Sequence, residues 1–254
     1  MKRRASHRVW GFLLVAALLV LWEVSARTWV GSPNWPPVSK VFAAGVDGMA
    51  SGDLPQVFLS SLGRMVAGFA AGGLLGVVVG LLMGRFRWVN AALDTLVELV
   101  RPIPIPAIVP PLILLLGIDT AMKVFIVAFA TFFPVLVNTI AGVRSVDRVA
   151  LDVARTFQVA PARTALHVVL PASLPYIMVG LRTSLALALI VTVIAEMIAG
   201  SEGIGYYIMT MQFAMRSGEM YASILLLAVV GYLLNLAMLR VEKRLLHWFQ
   251  RASD

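Results

Sequence analysis

The residue types that carry catalysis or bind metals are sparse in this chain of 254 residues. It has no cysteine, and its three histidines, His7, His167 and His247, lie far apart in the sequence. It contains no Gly-x-x-x-x-Gly-Lys-Ser/Thr loop, so we do not expect it to bind or hydrolyse ATP itself. No serine–histidine–acid set or paired carboxylate stands out. The sequence therefore predicts no enzymatic activity, no cofactor and no metal site.

Polar and proline residues inside long apolar runs are the remaining candidates for function. Buried charge at membrane depth is costly and usually functional, so Glu196 is predicted either at the mouth of a pathway or at the outer interface. Asn138 is predicted to pack against, or hydrogen-bond to, another helix. Pro104 and Pro106 belong to a stretch with five prolines in ten residues. We expect that stretch to break regular helix and either to line a cavity or gate or to form an extended entry at the interface.

The elements that must position these residues are membrane spans. The chain is 60% hydrophobic and 13% charged, whereas soluble domains carry about 25% charged residues. Spans need about 20 apolar residues, and six runs qualify: 9–29, 62–84, 96–118, 122–143, 176–200 and 221–240. The sequence thus predicts an all-α membrane protein with about six crossings. The first run also fits a secretory signal cleaved after Val24-Ser25-Ala26, which would leave five.

Lysine and arginine residues set the expected orientation, because loops on the cytoplasmic side are enriched in them. Most of these residues fall in segments on the same side of the membrane as the N-terminus. We therefore expect both termini, and the loop after the fourth run, to lie in the cytoplasm. The residues on this side are Lys2, Arg3, Arg4, Arg8, Arg85, Arg87, Arg144, Arg148, Arg155, Arg163, Arg240, Lys243, Arg244 and Arg251.

Residues 1–61 and 62–250 are expected to form two regions of one membrane protein. The first contains the N-terminal run and an external loop over 31–61, with a short surface helix predicted at about 38–50. The second begins with a run that carries a glycine every four residues, from Gly68 to Gly84. Small residues at this spacing allow close helix packing in lipid. The ridge is predicted to contact another span of the same chain, or else a second copy.

A polar, arginine-rich segment separates the fourth and fifth runs, between about residues 144 and 175. Val149, Val153 and Phe157 recur at intervals of four, which predicts a short amphipathic helix over 149–160 with one apolar stripe. Pro161 is expected to end it and to open a second helix, which Pro171 and Pro175 would end before the next span. The side opposite the stripe carries Arg148, Asp152, Arg155 and Gln158.

The spacing in this segment resembles the cytoplasmic EAA loop of binding-protein-dependent ABC importer permeases. That loop has a Glu-Ala-Ala triplet, a glycine four residues after the second alanine, and a final Ile-x-Leu-Pro. The corresponding residues here are Asp152-Val153-Ala154, then Gln158, then Val168-Val169-Leu170-Pro171. Gln158 departs from the pattern and lacks the backbone freedom of glycine. The resemblance covers roughly residues 55–250, and within the family the chain is most similar to the sulfonate, taurine and nitrate branch.

This resemblance implies a type I permease fold and a non-catalytic transport subunit of the bacterial inner membrane. It implies two cytoplasmic ATPases that hydrolyse ATP, a second permease chain (a homodimer), surrounding lipid and an external solute-binding protein. No nucleic-acid partner is expected, because the positive charges are scattered between spans and not grouped on one face. Pathway residues would include Pro104, Pro106, Asn138 and Glu196. A secondary transporter or channel is the alternative, and a membrane anchor is the third class. Residues expected to couple ATPase to transport are Asp152, Ala154, Arg155, Phe157, Leu170 and Pro171.

Overall fold

A computed structural model describes the backbone of residues 2–247 and the side chains of residues 10, 11 and 13–247. Within these residues the secondary structure is helical, with no strand. Arg251 and the last residues of the predicted 62–250 region lie outside the described residues. The helices are α1 (Lys2–Ser25), α2 (Val38–Ala50), α3 (Asp53–Arg85), α4 (Arg87–Val100), α5 (Ile105–Leu116), α6 (Thr120–Arg144), α7 (Arg148–Thr156), α8 (Pro161–Thr164), α9 (Leu170–Ala199), α10 (Ile204–Phe213) and α11 (Ser217–Leu245).

Five described helical segments are long and apolar enough to cross a membrane. The predicted third span differs, because it consists of α4 and α5, which meet at an angle of 99°. Counted as one bent span, the pair brings the number of crossings to six. The predicted helix at 38–50 is confirmed as α2. The boundary expected between residues 61 and 62 falls inside α3, so that division of the chain stays a prediction.

The glycine ridge of α3 packs against α6 of the same chain, which confirms the first of its two predicted partners. Each ridge glycine lies against the residue 59 positions later, so α3 and α6 run parallel. Because both run in the same direction, the chain must return across the membrane between them, through α4 and α5. The contacts join Gly68 to Val127, Gly72 to Thr131, Gly76 to Val135, Gly80 to Thr139 and Gly84 to Val143.

Helix α9 covers the other side of α6 and runs antiparallel to it. Gly142 of α6 lies against Ser173, whereas Gly180 lies against Asn138 nearer the middle of α6. Further along, the Ser184 hydroxyl donates a hydrogen bond of 3.0 Å to the Thr131 carbonyl. Helix α6 is thus clamped between α3 and α9, and these three helices form the structural unit of the chain.

The proline-rich stretch is more helical than its sequence predicts. Helix α5 includes Pro106 in its first turn and Pro110 and Pro111 inside it. A proline in the first turn loses no intrahelical bond, since the N–H there has no helical acceptor. The helix is retained beyond that turn because Val109 and Leu112 are buried in the core. The expected break is confined to residues 101–104, where Pro104 is extended and caps α5.

Candidate functional site

The amphipathic helix predicted between the fourth and fifth spans exists as α7, between α6 and α8. It is shorter than the predicted 149–160. Asp147 caps it, since its carboxylate accepts a hydrogen bond of 2.9 Å from the Val149 N–H. Such a cap typically stabilises a helix by about 1 kcal/mol. The helix ends at Thr156, and Phe157 occupies the C-cap position.

One side of helix α7 packs against the rest of the protein, and the opposite side is exposed. Ala154 is buried, and Leu151 packs beside Val143 and Val146 at the end of α6. On the other side the predicted stripe is exposed: Val149 at 66%, Val153 at 49% and Phe157 at 77%. We call these three residues the apolar stripe. In a loop outside the apolar spans, such a stripe is typical of a surface that binds another protein.

Gln158 stands where the resembled loop has glycine, and it adopts a backbone conformation that favours glycine. Its φ is +50°, in the left-handed region. This conformation lets the Val159 N–H bond the Ala154 carbonyl at 2.9 Å and the Gln158 N–H bond the Arg155 carbonyl. The turn after α7 therefore forms without glycine, although a side chain in this region costs roughly 1–2 kcal/mol.

The charged residues of α7 are exposed and bond each other. Arg155 donates a hydrogen bond of 3.0 Å to the Asp152 carboxylate, one turn away on the same helix. Exposed pairs of this kind contribute little to stability. Their side chains are therefore free to contact a partner.

The second helix of the loop does not end where its prolines predicted. Helices α8 and α9 form one continuous helical segment over Pro161–Ala199, joined by a π-helical turn over Ala165–Val169. The prediction that Pro171 and Pro175 end the second helix is wrong. The wider π-helical turn lies just before Leu170 and Pro171, at the carbonyls with which the Pro171 ring would otherwise clash. These two residues begin α9, so the loop continues directly into the span.

A buried polar cluster lies at the other end of the three-helix unit. Glu196 of α9 is fully buried. Its carboxylate accepts hydrogen bonds from the Ser61 hydroxyl at 2.8 Å, from Arg64 Nη1 at 2.7 Å and from the Gly205 N–H at 3.1 Å. Arg64 also bonds Glu202. Of these residues, the sequence analysis singled out Glu196 alone.

The chain matches the family model described as "Binding-protein-dependent transport system inner membrane component" over residues 72–248. The chain belongs to this family. It is 34% identical to the putative aliphatic sulfonates transport permease protein SsuC of Escherichia coli, over 95% of this chain and 92% of that one. It is 32% identical to the taurine transport system permease protein TauC of the same species, over 92% and 87%. It is 31% identical to the bicarbonate transport system permease protein CmpB of Synechococcus elongatus, over 76% of this chain and 67% of that one.

Two solved structures share the fold of this permease. A chain of the methionine ABC transporter MetNI, in inward-facing conformations, superposes with a TM-score of 0.61 at 16% identity, over 75% of this chain and 96% of that one. A chain of an amino acid ABC transporter with histidines superposes with a TM-score of 0.61 at 17% identity, over 82% of this chain and 97% of that one. These likenesses confirm the predicted ABC importer permease fold.

Family membership confirms the function predicted for the chain, a transmembrane permease subunit of an ABC importer. It is a multi-pass protein of the inner membrane. The family implies ATP-binding subunits and a substrate-binding protein as partners. A secondary transporter or channel, the alternative, is not favoured.

Two of the four predicted pathway residues, Asn138 and Glu196, lie far apart in the permease. Pro104 and Pro106 are at the start of α5. Asn138 donates its hydrogen bond of 2.8 Å to Pro134 of its own helix, not across helices, and it packs against Gly180. Glu196 lies 16 residues beyond Gly180 along α9, a separation of about 24 Å. Their part in a pathway stays a prediction.

Proposed function

We propose that two ATPases hold this permease by the apolar stripe of α7 and drive a small solute inward by alternating access. The observation that carries the proposal is the exposure of Phe157, 77%, on a helix whose opposite side is anchored at Ala154. Burying a phenylalanine side chain contributes about 1.5–3 kcal/mol. The stripe therefore offers an ATPase a contact large enough to transmit force.

The mechanism follows from how α7 is attached. ATP binding draws the two ATPases together, and each moves one α7 as a rigid lever. Ala154 and Leu151 pass that movement to the end of α6, and Leu170 and Pro171 pass it to α9, since the loop runs into α9 without a break. Asp152 and Arg155 provide polar contacts at the edge of the stripe. The equilibrium shifts because ATP binds one arrangement better than the other, and hydrolysis by the ATPases reverses the shift.

The orientation belongs to the same proposal. Arginine and lysine bias supports a cytoplasmic position for both termini and α7, where an ATPase can reach the stripe. Helix α2 and the 31–37 loop then lie outside, on the side of the solute-binding protein. In support, α7 follows one end of α6 and the 31–37 loop packs at the opposite end of the helices, where the Ser217 hydroxyl at the start of α11 bonds the Pro33 carbonyl at 2.5 Å.

The permease is proposed to work as a homodimer in lipid. One chain with about six crossings encloses little space, whereas two copies provide about twelve helices around a central pathway. We place Pro104, Pro106, Asn138 and Glu196 near that pathway. The break at 101–104 supports this for the prolines, because a broken helix at membrane depth needs protein or water beside it.

The solute is proposed to be an aliphatic sulfonate, taurine, nitrate or a similar small solute. The support is the naming of the relatives SsuC, TauC and CmpB for sulfonates, taurine and bicarbonate. The external binding protein selects the solute before it reaches the permease.

The experiment that tests the proposal is the pair Phe157→Asp and Phe157→Leu in the assembled importer, reconstituted in vesicles. We expect Phe157→Asp to lower solute uptake and coupled ATPase activity at least tenfold, while the chain still inserts in the membrane. Phe157→Leu keeps an apolar contact and should retain most of both activities. Unchanged uptake by Phe157→Asp would remove α7 from the mechanism.

A further inference from the structure

The polar cluster at the end of the unit opposite α7 is nearly charge-balanced. Arg64 bonds both Glu196 and Glu202, which leaves one excess negative charge. The register of α3 on α6 extends four residues beyond Gly68 and Val127 and places Lys123 beside Arg64. Lys123 is 1% exposed and lies within electrostatic range of both carboxylates. Two cations, Arg64 and Lys123, therefore lie among the carboxylates of Glu196, Glu202 and Asp119. Glu202 is 59% exposed, but Arg64, Lys123 and Glu196 are buried, so removing one of these three leaves an uncompensated buried charge.

This group ties three helices to one turn. Ser61 of α3 donates to Glu196 of α9, and its oxygen accepts a hydrogen bond of 2.8 Å from the Ile204 N–H at the start of α10. The Gly205 N–H bonds the same carboxylate. The turn between α9 and α10 is thus attached to α3 by side chains and not by its own regular structure.

The turn between α9 and α10 is rich in glycine. It contains Gly200, Gly203 and Gly205, and Gly203 has a φ of +104°, which L side chains rarely adopt. A Cβ atom at Gly203 would collide with the Glu196 carboxylate, and one at Gly205 would collide with the Val193 carbonyl. The glycines allow the close approach, and they also leave the turn conformationally free once the polar contacts are lost.

The position of the group links it to α7. Lys123 lies near the start of α6 and Arg144 at its end, beside α7; their offset of 21 positions along the helix corresponds to about 32 Å. Helix α6 is clamped by α3 and α9 over this distance, as the ridge contacts show. A displacement of α7 is therefore carried by one packed unit to the group at its far end.

We propose that Ser61, Arg64, Lys123, Glu196 and Glu202 form a latch that closes the outer end of this unit, holding the glycine turn and α10 on α3. When the hydrogen bonds and ion pairs among these side chains break, the turn separates from α3. Release of the latch is the outer response to movement of α7, so Glu196 acts as a positioning residue that controls where α10 lies.

The test measures whether α10 lifts when the latch is weakened. The chain has no native cysteine, so Ile208→Cys, at a position 6% exposed in α10, reports opening through its labelling rate with a membrane-impermeant maleimide. The full-length chain is used in sealed vesicles. Ser61→Ala should raise the rate at least about fivefold and Glu196→Gln more, because each removes bonds that hold the closed turn. If Glu196→Gln does not fold, Ser61→Ala decides the result.

Two controls separate a latch from general loosening. Glu219→Gln removes an exposed ion pair with Arg216 at the start of α11, and it should leave the Ile208→Cys rate unchanged. Val135→Cys, fully buried between α3 and α6, should stay unlabelled in Ser61→Ala. Equal Ile208→Cys rates in Ser61→Ala and the unaltered chain, or labelling of Val135→Cys along with Ile208→Cys, would overturn the proposal.

Discussion

Gly72 of α3 lies directly against Thr131 of α6, with no space for a side chain between the two backbones. A Cβ atom at Gly72 would collide with the Ala128 carbonyl and the Thr131 hydroxyl. The same is true, with other partners, along the whole glycine ridge. This contact fixes α3 and α6 in parallel, and that arrangement makes α4 and α5 cross back between them.

The ridge predicts a large effect of Gly72→Val. We expect it to destabilise the chain by about 3 kcal/mol, because the added carbons force the backbones apart. At Gly63 in the same helix, a Cβ atom would meet nothing within 4 Å, so Gly63→Val is the matched control and should change stability by less than about 1 kcal/mol. Thermal unfolding in detergent measures both. Equal melting temperatures would show that the ridge is not a tight contact.

The turn after α7 predicts a gain from Gln158→Gly. Glycine accepts the φ of +50° at this position without strain, so the turn should become more stable by about 1 kcal/mol. Slower proteolysis at residues 157–160 would report the gain. Gln158→Val, which places a β-branched residue in the left-handed region, should give the reverse. If both variants are cut at the rate of the unaltered chain, Gln158 is not held in this conformation.

The close approach of the glycine turn to Glu196 predicts that Gly203→Ala is harmful. Its methyl group would meet the buried carboxylate, and the φ of +104° would be strained as well. We expect a loss of roughly 2–4 kcal/mol in stability, measured by thermal unfolding. Gly52→Ala is a useful comparison, since Gly52 has a φ of +86° with open space around it. Gly52→Ala therefore measures the cost of the backbone strain without a collision. If it lowers stability as much as Gly203→Ala does, the collision with Glu196 contributes nothing.

Membrane orientation can be measured directly in this cysteine-free chain. Asn34 is exposed in the 31–37 loop, which the proposal places outside, so Asn34→Cys reports the side on which this loop lies. We expect an impermeant maleimide to label it in intact cells and to leave Arg163→Cys, in α8, unlabelled until the cells are opened. The opposite pattern would invert the topology.

Local patterns in the sequence predicted the local structure well. Periodicity was enough for α2, for the stripe of α7 and for most spans, because each depends on residues within a few turns. Predictions from prolines were wrong at two places. Helix continues through Pro171 after a π-helical turn, and α5 persists through Pro110 and Pro111 because its core contacts outweigh the lost backbone bonds.

Relationships between distant segments were not predictable in this way. The glycine spacing indicated a close contact between helices but did not identify the partner helix, because the sequence of α3 carries no information that points to α6. The latch required that register, because only the offset of 59 residues brings Lys123 beside Arg64. Glu196 was noticed as a charge within a span, but its partners on α3 lie more than 130 residues away in the chain.

The account depends most on the binding of an ATPase to α7. Thr156→Cys adjoins the stripe and is exposed in the free chain, so its labelling in inverted vesicles measures access to that surface. We expect rapid labelling of the permease alone and at least tenfold slower labelling once its ATPase partners are bound. Equal rates with and without the ATPases, or labelling of Thr156→Cys from outside intact cells, would contradict the account.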